Sequence, residues 1–241
     1  MPEQAIEVIP VIDLKGGAAV RARQGLRHSY LPLITPFAPT GAPLEVAAGL
    51  LAIHPFEVIY VADLDRITQC GSHDLCLNAL TAAFPSVTFW VDAGVRHAGE
   101  ARAWLAQHQR AHLVLGSESL QTHTVLEELA GCERIVLSLD YRGGSFLGPE
   151  GLCCRPELWP ARVIVMSLAR VGSGAGPDMS RLAKIKRLAP DAMLFAAGGL
   201  RGARDLVKLK QAGIRGVLVA SALHDGHLTS GDFALASKEL A

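Results

Sequence analysis

The chain has 241 residues, 50% of them hydrophobic and 19% charged, with 23 basic and 23 acidic side chains and a formal net charge of zero. Zero net charge gives no bulk attraction to nucleic acid or to an anionic membrane, and no apolar run approaches the ~18–20 residues needed to cross a bilayer. The opening Met-Pro-Glu-Gln lacks the basic n-region of a secretory signal, and the five cysteines show no C-x-x-C spacing, which fits free thiols in a reducing cytoplasm.

Ile9-Pro10-Val11-Ile12-Asp13-Leu14-Lys15-Gly16-Gly17 reads as a buried strand that opens into a loop at Asp13. In parallel α/β proteins ligands bind at that end of a strand; an aspartate there is either a loop cap or a reactive group. Residues 18–42 hold Arg21, Arg23, Arg27, Tyr30 and several prolines without a clean period. They are expected to form an inserted, mobile loop over the active face, with a peripheral basic hairpin as the alternative. A helix is expected over Leu44–Ile53. A second strand, Glu57 to Ala62, leads into Asp63 and Asp65. Helices and strands then alternate: helix His73–Phe84, strand Val87–Val91, helix Ala98–Gln107, strand His112–Leu115 and helix Ser119–Ala130.

At Ile135 the opening pattern returns roughly half a chain later: an apolar run, Asp140, Tyr141, Arg142 and two glycines. The following crossover carries Pro156, Trp159 and Pro160, leaving room for only a short helix. Strand Val163–Ser167 leads into the Gly-rich run Gly172-Ser173-Gly174-Ala175-Gly176-Pro177. Helix Met179–Leu188, strand Ala192–Ala197, helix Ala203–Gln211, strand Gly216–Val219, a turn at Ala222-Leu223 and a last helix near Asp232–Glu239 complete the chain. Other segments also pair across the halves: Val91-Asp92-Ala93-Gly94-Val95-Arg96 with Ala196-Ala197-Gly198-Gly199-Leu200-Arg201, and Gly116-Ser117 with Ala220-Ser221. Eight strand–helix units with this internal repeat predict a (β/α)8 TIM barrel built from duplicated half-barrels, about 1–131 and 132–241, forming one domain.

In such a barrel Asp13 and Asp140 face each other across one cavity, an arrangement suited to moving a proton between two points of a substrate. Gly198, Gly199, Ala220 and Ser221 end the seventh and eighth strands, the usual phosphate site of phosphate-binding barrels. Gly94, Gly116 and Ser117 would form a second anion site, with Asp92 placing a negative charge beside it. Each glycine pair equally serves a tight strand-to-helix turn. Two anion sites around two aspartates imply a small metabolite with a phosphate at each end. No metal site is expected; His224-Asp225-Gly226-His227 reads as a solvated loop.

The duplicated Asp strands, Gly94-Val95-Arg96 and Ala197-Gly198-Gly199-Leu200 resemble the histidine-biosynthesis barrel family, of ribulose-phosphate-binding type. That family comprises the phosphoribosylformimino-5-aminoimidazole carboxamide ribotide (ProFAR) isomerase and the imidazole glycerol phosphate synthase cyclase. The resemblance covers nearly the whole chain. It implies an Amadori-type aldose-to-ketose rearrangement without metal or organic cofactor. Asp13 would be the base, Asp140 the acid and Arg96 a substrate contact, with Gly176 in the strand-six loop and Gly198, Gly199, Ala220 and Ser221 at a phosphate.

The chain departs from the family in two loops. Asp92-Ala93-Gly94-Val95-Arg96 stands where the family has Gly-Gly-Gly-Ile-Arg. In strand six, Met166 and Val171 fall on the family's threonine and aspartate; Ser167 would supply the hydroxyl only with a shift of register. Tyr60-Val61-Ala62-Asp63-Leu64-Asp65, with Arg27, Tyr30 and Pro32, resembles a diverged isomerase-like branch of methanogens and one-carbon-using bacteria. That likeness implies a role in one-carbon carrier cofactor biosynthesis. On that reading Asp63, Asp65 or Asp92 is recruited to the site, with Lys15 a further candidate. A non-catalytic phospholigand-binding barrel is the third alternative.

Overall fold

The computed structural model describes residues 5–233. Eight parallel strands close into a barrel: β1 (Glu7–Lys15), β2 (Val58–Asp63), β3 (Thr88–Asp92), β4 (Ala111–Gly116), β5 (Ile135–Arg142), β6 (Arg162–Ser167), β7 (Met193–Ala197) and β8 (Gly216–Val219). Each pairs with its sequence neighbour, and β8 returns to β1 with Ile9 opposite Leu218. The strands read as near-continuous apolar runs because both faces are covered, as parallel sheets require. Successive side chains alternate between the faces. Ile9, Tyr60, Trp90, Val136, Ile164 and Phe195 fill the barrel interior as one cluster, while Ile12, Ile59, Phe89, Leu137, Val163 and Leu194 belong to the outer core. Trp90 meets Phe195 edge-on inside the barrel, with ring centroids 4.9 Å apart. Each such burial stabilises the fold by about 1.5–3 kcal/mol.

The outer layer contains α1 (Pro43–Ile53), α2 (Asp74–Ala83), α3 (Ala98–Gln107), α4 (Thr124–Glu128), α5 (Met179–Leu188) and α6 (Ala203–Gln211). Between β5 and β6 the chain folds back as a short antiparallel strand, Ser145–Leu147, and then makes two 3-10 turns, Leu152–Cys154 and Pro156–Leu158, in place of a longer helix, as the prolines there predict. The α4 helix is shorter than the expected Ser119–Ala130. Its expected first turns are instead a loop, in which Ser119 N donates to Gly116 O and Gln121 N to Arg96 O. The expected last helix falls mostly on residues 234–241, outside the described residues. Among the described residues no helix is long and apolar enough to cross a membrane.

Residues 18–42 correct the expectation of a structureless insertion. Ala18–Arg21 runs antiparallel to the end of β1, placing Val20 opposite Asp13, and then pairs with Leu31–Pro32. The segment from Ala22 to Tyr30 turns back over the barrel mouth. Gln24 N donates to Val171 O at 2.8 Å, and Lys15 Nζ to Arg27 O at 2.8 Å. The insertion is thus both a hairpin and a cap.

Candidate active site

A cavity of about 720 Å³ opens at the C-terminal ends of the strands. Asp13, Asp92 and Asp140 line it, from the ends of β1, β3 and β5. Each lies an even number of residues from an interior side chain of its own strand (Ile9, Trp90, Val136), so strand alternation turns all three inward. Sequence pairing identified Asp13 and Asp140, and the same period-2 argument from Trp90 would have placed Asp92 with them.

The three carboxylates sit in different surroundings. Asp13 accepts no hydrogen bond among the described residues, and burial pushes its pKa up to about 7 against the opposing pull of Arg27. Asp140 is clamped: Ser138 Oγ donates to Oδ1 at 2.6 Å and Glu118 N to Oδ2 at 3.0 Å. Burial, and next the negative charge of Glu118, push its pKa up to about 8 although the Ser138 hydroxyl opposes the shift. Asp92 accepts from Gly94 N at 3.0 Å, and burial raises its pKa to about 7. Arg27, delivered by the hairpin cap, pairs with Glu118 inside the cavity. The positive end of that pair favours ionised Asp13, and the negative end favours protonated Asp140. Such neighbours separate the proton affinities of two otherwise similar groups.

Tyr60 reaches the same centre. Its hydroxyl lies 3.5 Å from Asp92 Oδ2, and burial followed by the charges of Asp92, Asp140 and Asp13 holds its pKa well above the usual phenol value. Tyr60, Arg27 and Glu118 were not identified as site residues from sequence. Tyr60 shares the inward face with Ala62, a legible signal; Arg27 and Glu118 arrive through loop geometry that periodicity does not encode.

The β7 and β8 ends form the opposite wall, with Gly198, Gly199, Ala220 and Ser221 all lining the cavity. Gly198 has φ +103°, and a β-carbon there would lie 2.6 Å from Ser167 O; at Gly199, with φ +87°, it would lie 2.5 Å from Gly176 O. Only glycine fits either position. The N–H groups of Gly174, Gly199 and Ser221 find no protein acceptor among the described residues. Bare backbone donors on a concave turn are the chemistry of an anion seat. Gly176 itself does not line the cavity; its N donates to Gly199 O and its O accepts from Arg170, so it braces the Gly198-Gly199 turn.

The β3 and β4 ends differ. Gly94, Gly116 and Ser117, expected to form a second anion site, do not line the cavity. Ser117 is fully buried; its N donates to Ser138 O, and its hydroxyl donates to Leu147 O at 2.6 Å while accepting from Asp140 N at 2.8 Å. A β-carbon on Gly116 would lie 2.7 Å from Asp92 Oδ2. The Arg96 backbone N donates to Glu100, and its side chain does not reach the cavity lining.

Asp63, Asp65, Lys15 and Ser167 also lie off the lining. Asp63 alternates outward from Ala62, and it accepts from Arg66 N, His73 N and His73 Nδ1. Asp65 accepts from Gly16 N at 2.9 Å, and His73 Nε2 accepts from Gly17 N at 3.0 Å. This network ties the Gly16-Gly17 turn to the end of β2. Ser167 lies beneath the Gly198 turn, whereas Met166 and Val171 present apolar groups to the cavity. His224 is buried and stacks on Phe37, and burial lowers its pKa to about 4. No group of three or more His, Cys, Asp or Glu side chains is placed to hold a metal ion among the described residues.

A closed parallel barrel with ionisable carboxylates inside its C-terminal mouth, and with N–H groups at Gly174, Gly199 and Ser221 that find no protein acceptor among the described residues, defines a (β/α)8 barrel with a polar cavity at that mouth. The chain belongs to the histidine biosynthesis protein family, which matches residues 7–153 and 156–229. It is 29% identical over 229 residues to an uncharacterized protein of Methanocaldococcus jannaschii, covering 92% of this chain and 95% of the relative. It is also 29% identical over 238 residues to a phosphoribosyl imidazole-4-carboxamide isomerase of Pyrobaculum aerophilum, covering 92% and 96%. To the protein of that name from Lactiplantibacillus plantarum it is 28% identical over 243 residues, covering 94% and 98%.

Proposed function

We propose that the protein is an aldose–ketose isomerase of Amadori type, acting on a small phosphorylated aminosugar without a cofactor. The observation that carries this reading is the placement of Asp13 and Asp140 in one cavity with opposed electrostatic neighbours, beside the bare N–H groups of Gly199 and Ser221. Asp140, holding its proton, would protonate the sugar ring oxygen as the ring bond to the anomeric carbon breaks. Asp13 would take the proton from the adjacent carbon, whose electrons form the enolamine. Asp13 returns its proton to the former anomeric carbon while the enol hydroxyl gives its proton to Asp140, which yields the aminoketose, restores both carboxyl groups and involves no net gain or loss of electrons. Positioned acid–base groups of this type contribute about 10²–10⁴-fold in rate. The names of the bacterial and archaeal relatives support the same class of reaction.

A second reading is favoured by Met166, Val171 and Asp92. The first two place apolar groups where the resembling isomerases have polar ones, and the third fills one wall with a carboxylate. On this reading the chemistry is kept but the phosphorylated substrate differs, as for an intermediate of one-carbon carrier cofactor biosynthesis. The deciding experiment is a direct assay with the ProFAR aminoaldose. Turnover that disappears in Asp13→Asn supports the histidine-pathway substrate. Binding of inorganic phosphate without turnover supports the second reading. Asp13→Asn and Asp140→Asn variants that both work like the wild type would sink the two-aspartate mechanism.

A further inference from the structure

The two ends of the cavity do not offer the same chemistry to a ligand. At the β7/β8 end, the N–H groups of Gly174, Gly199 and Ser221 have no protein acceptor among the described residues. At the β3/β4 end the N–H groups of Gly94, Ser117, Glu118 and Ser119 are all engaged. Gly94 N donates to Asp92 Oδ1, Ser117 N to Ser138 O, Glu118 N to Asp140 Oδ2, and Ser119 N to Gly116 O. The space above Gly116 is filled by the Asp92 carboxyl. A phosphate placed there would find these four donors taken and would meet the Asp92 carboxylate.

Asp92 is only 6% exposed and lines the cavity, yet its Oδ2 has no partner nearer than the Tyr60 hydroxyl at 3.5 Å. That distance is at the edge of what counts as a hydrogen bond. A buried carboxylate oxygen left this bare is costly unless a ligand supplies a donor. The cavity cations do not supply one: Arg27 pairs with Glu118 and Arg201 with Asp205. His227, the remaining basic side chain of the lining, forms no ion pair among the described residues and belongs to the loop that follows β8.

We propose that the β3/β4 end of the cavity seats a cationic hydrogen-bond donor, so that the substrate carries one phosphate, gripped at the β7/β8 end, and a protonated amine that docks on Asp92 at the other. The inference rests on the phosphosugar reading of the same cavity and names its substrate class. A substrate with a phosphate at each end does not fit it.

The test is calorimetric titration of the full chain. Inorganic phosphate should bind once per chain. A ladder of ω-aminoalkyl phosphates of increasing length is then compared with n-alkyl phosphates of matching length. At one length the amine should bind about tenfold tighter or more than its alkyl twin, and Asp92→Asn should erase that preference while phosphate still binds once. Two phosphates per chain, or no length at which the amine helps, would overturn the inference; the wild-type chain alone decides this, whatever the stability of the variant. Because the readout is binding, it separates from the isomerase reading. A chain that turns over the doubly phosphorylated ProFAR aminoaldose refutes the single-phosphate seat and leaves the isomerase standing. An amine preference without aldose-to-ketose turnover does the reverse.

Discussion

The ends of β3 and β4 occupy the same places in the first four strands that the ends of β7 and β8 occupy in the last four, and both carry glycines. At β7/β8 Gly198 and Gly199 adopt positive φ with Ser167 O and Gly176 O where a β-carbon would stand, and the N–H groups of Gly199 and Ser221 find no protein acceptor among the described residues. At β3/β4 Gly116 is instead glycine because a carboxylate lies on it, and the neighbouring N–H groups turn back to bind Asp92 and Asp140. A single acidic residue, Asp92, separates the two outcomes. It takes Gly94 N and fills the space over Gly116, while Ser138 O, Asp140 and Gly116 O take the neighbouring donors. The strand-end aspartates diverge in the same way: Asp13 is left bare, whereas Asp140 is held by Ser138, Ser117 and Glu118.

The contrast between the halves can be broken most strongly at its reactive centre. Asp13→Asn and Asp140→Asn should each lower turnover of the phosphorylated aminosugar substrate by about 10²–10⁴-fold, with circular dichroism spectra like the wild type. If Asp140→Asn retained full rate while Asp13→Asn did not, the acid would have to be another group. Next in size, alanine at the two glycine ends should separate a backbone role from a side-chain one. Gly198→Ala forces a β-carbon toward Ser167 O at a positive φ, and should cost about 1–3 kcal/mol in urea unfolding. Gly116→Ala meets only the tip of Asp92, so it should cost less while weakening amine recognition. Equal losses would mean that both turns are held by backbone strain.

A finer probe is Ser138→Ala. Removing the hydroxyl that favours ionised Asp140 raises that group's pKa further, so the alkaline limb of the pH–rate profile should move to higher pH. The acid limb, set by Asp13, should stay in place. The smallest effect is on stability. The folded-state pKa values of Asp13, Asp92 and Asp140 lie at about 7, 7 and 8, against 3.8 when unfolded. The native state therefore binds more protons above pH 4, and its stability falls as pH rises through these values. His224, lowered to about 4 from 6.5, acts in the opposite sense below pH 6.5 and is neutral in both states above it. The melting temperature of the ligand-free chain should accordingly fall between about pH 6.5 and 8, and Asp92→Asn should reduce the slope.

Much of the architecture was legible in the chain itself. Near-continuous apolar runs, separated by helical spacing and breakers, placed all eight strands, because a strand buried on both faces leaves little choice of residue. The recurrence of the Asp13 pattern at Asp140 located the two aspartates, and strand alternation turns them inward. The Gly198-Gly199 turn was legible because only glycine tolerates that backbone. Where each donor points depends on contacts between segments far apart in the chain. The Arg27–Glu118 pair joins the hairpin cap to the end of β4, and Gln24 docks the cap on Val171. The Asp92 carboxyl lies over Gly116 of the next strand. Asp63, which looked equivalent to Asp13 by position, faces outward to His73 because it sits one residue out of phase with Tyr60 and Ala62. Local periodicity dictates which face a residue takes, whereas hydrogen-bond satisfaction across closed loops dictates which groups stay free for a ligand.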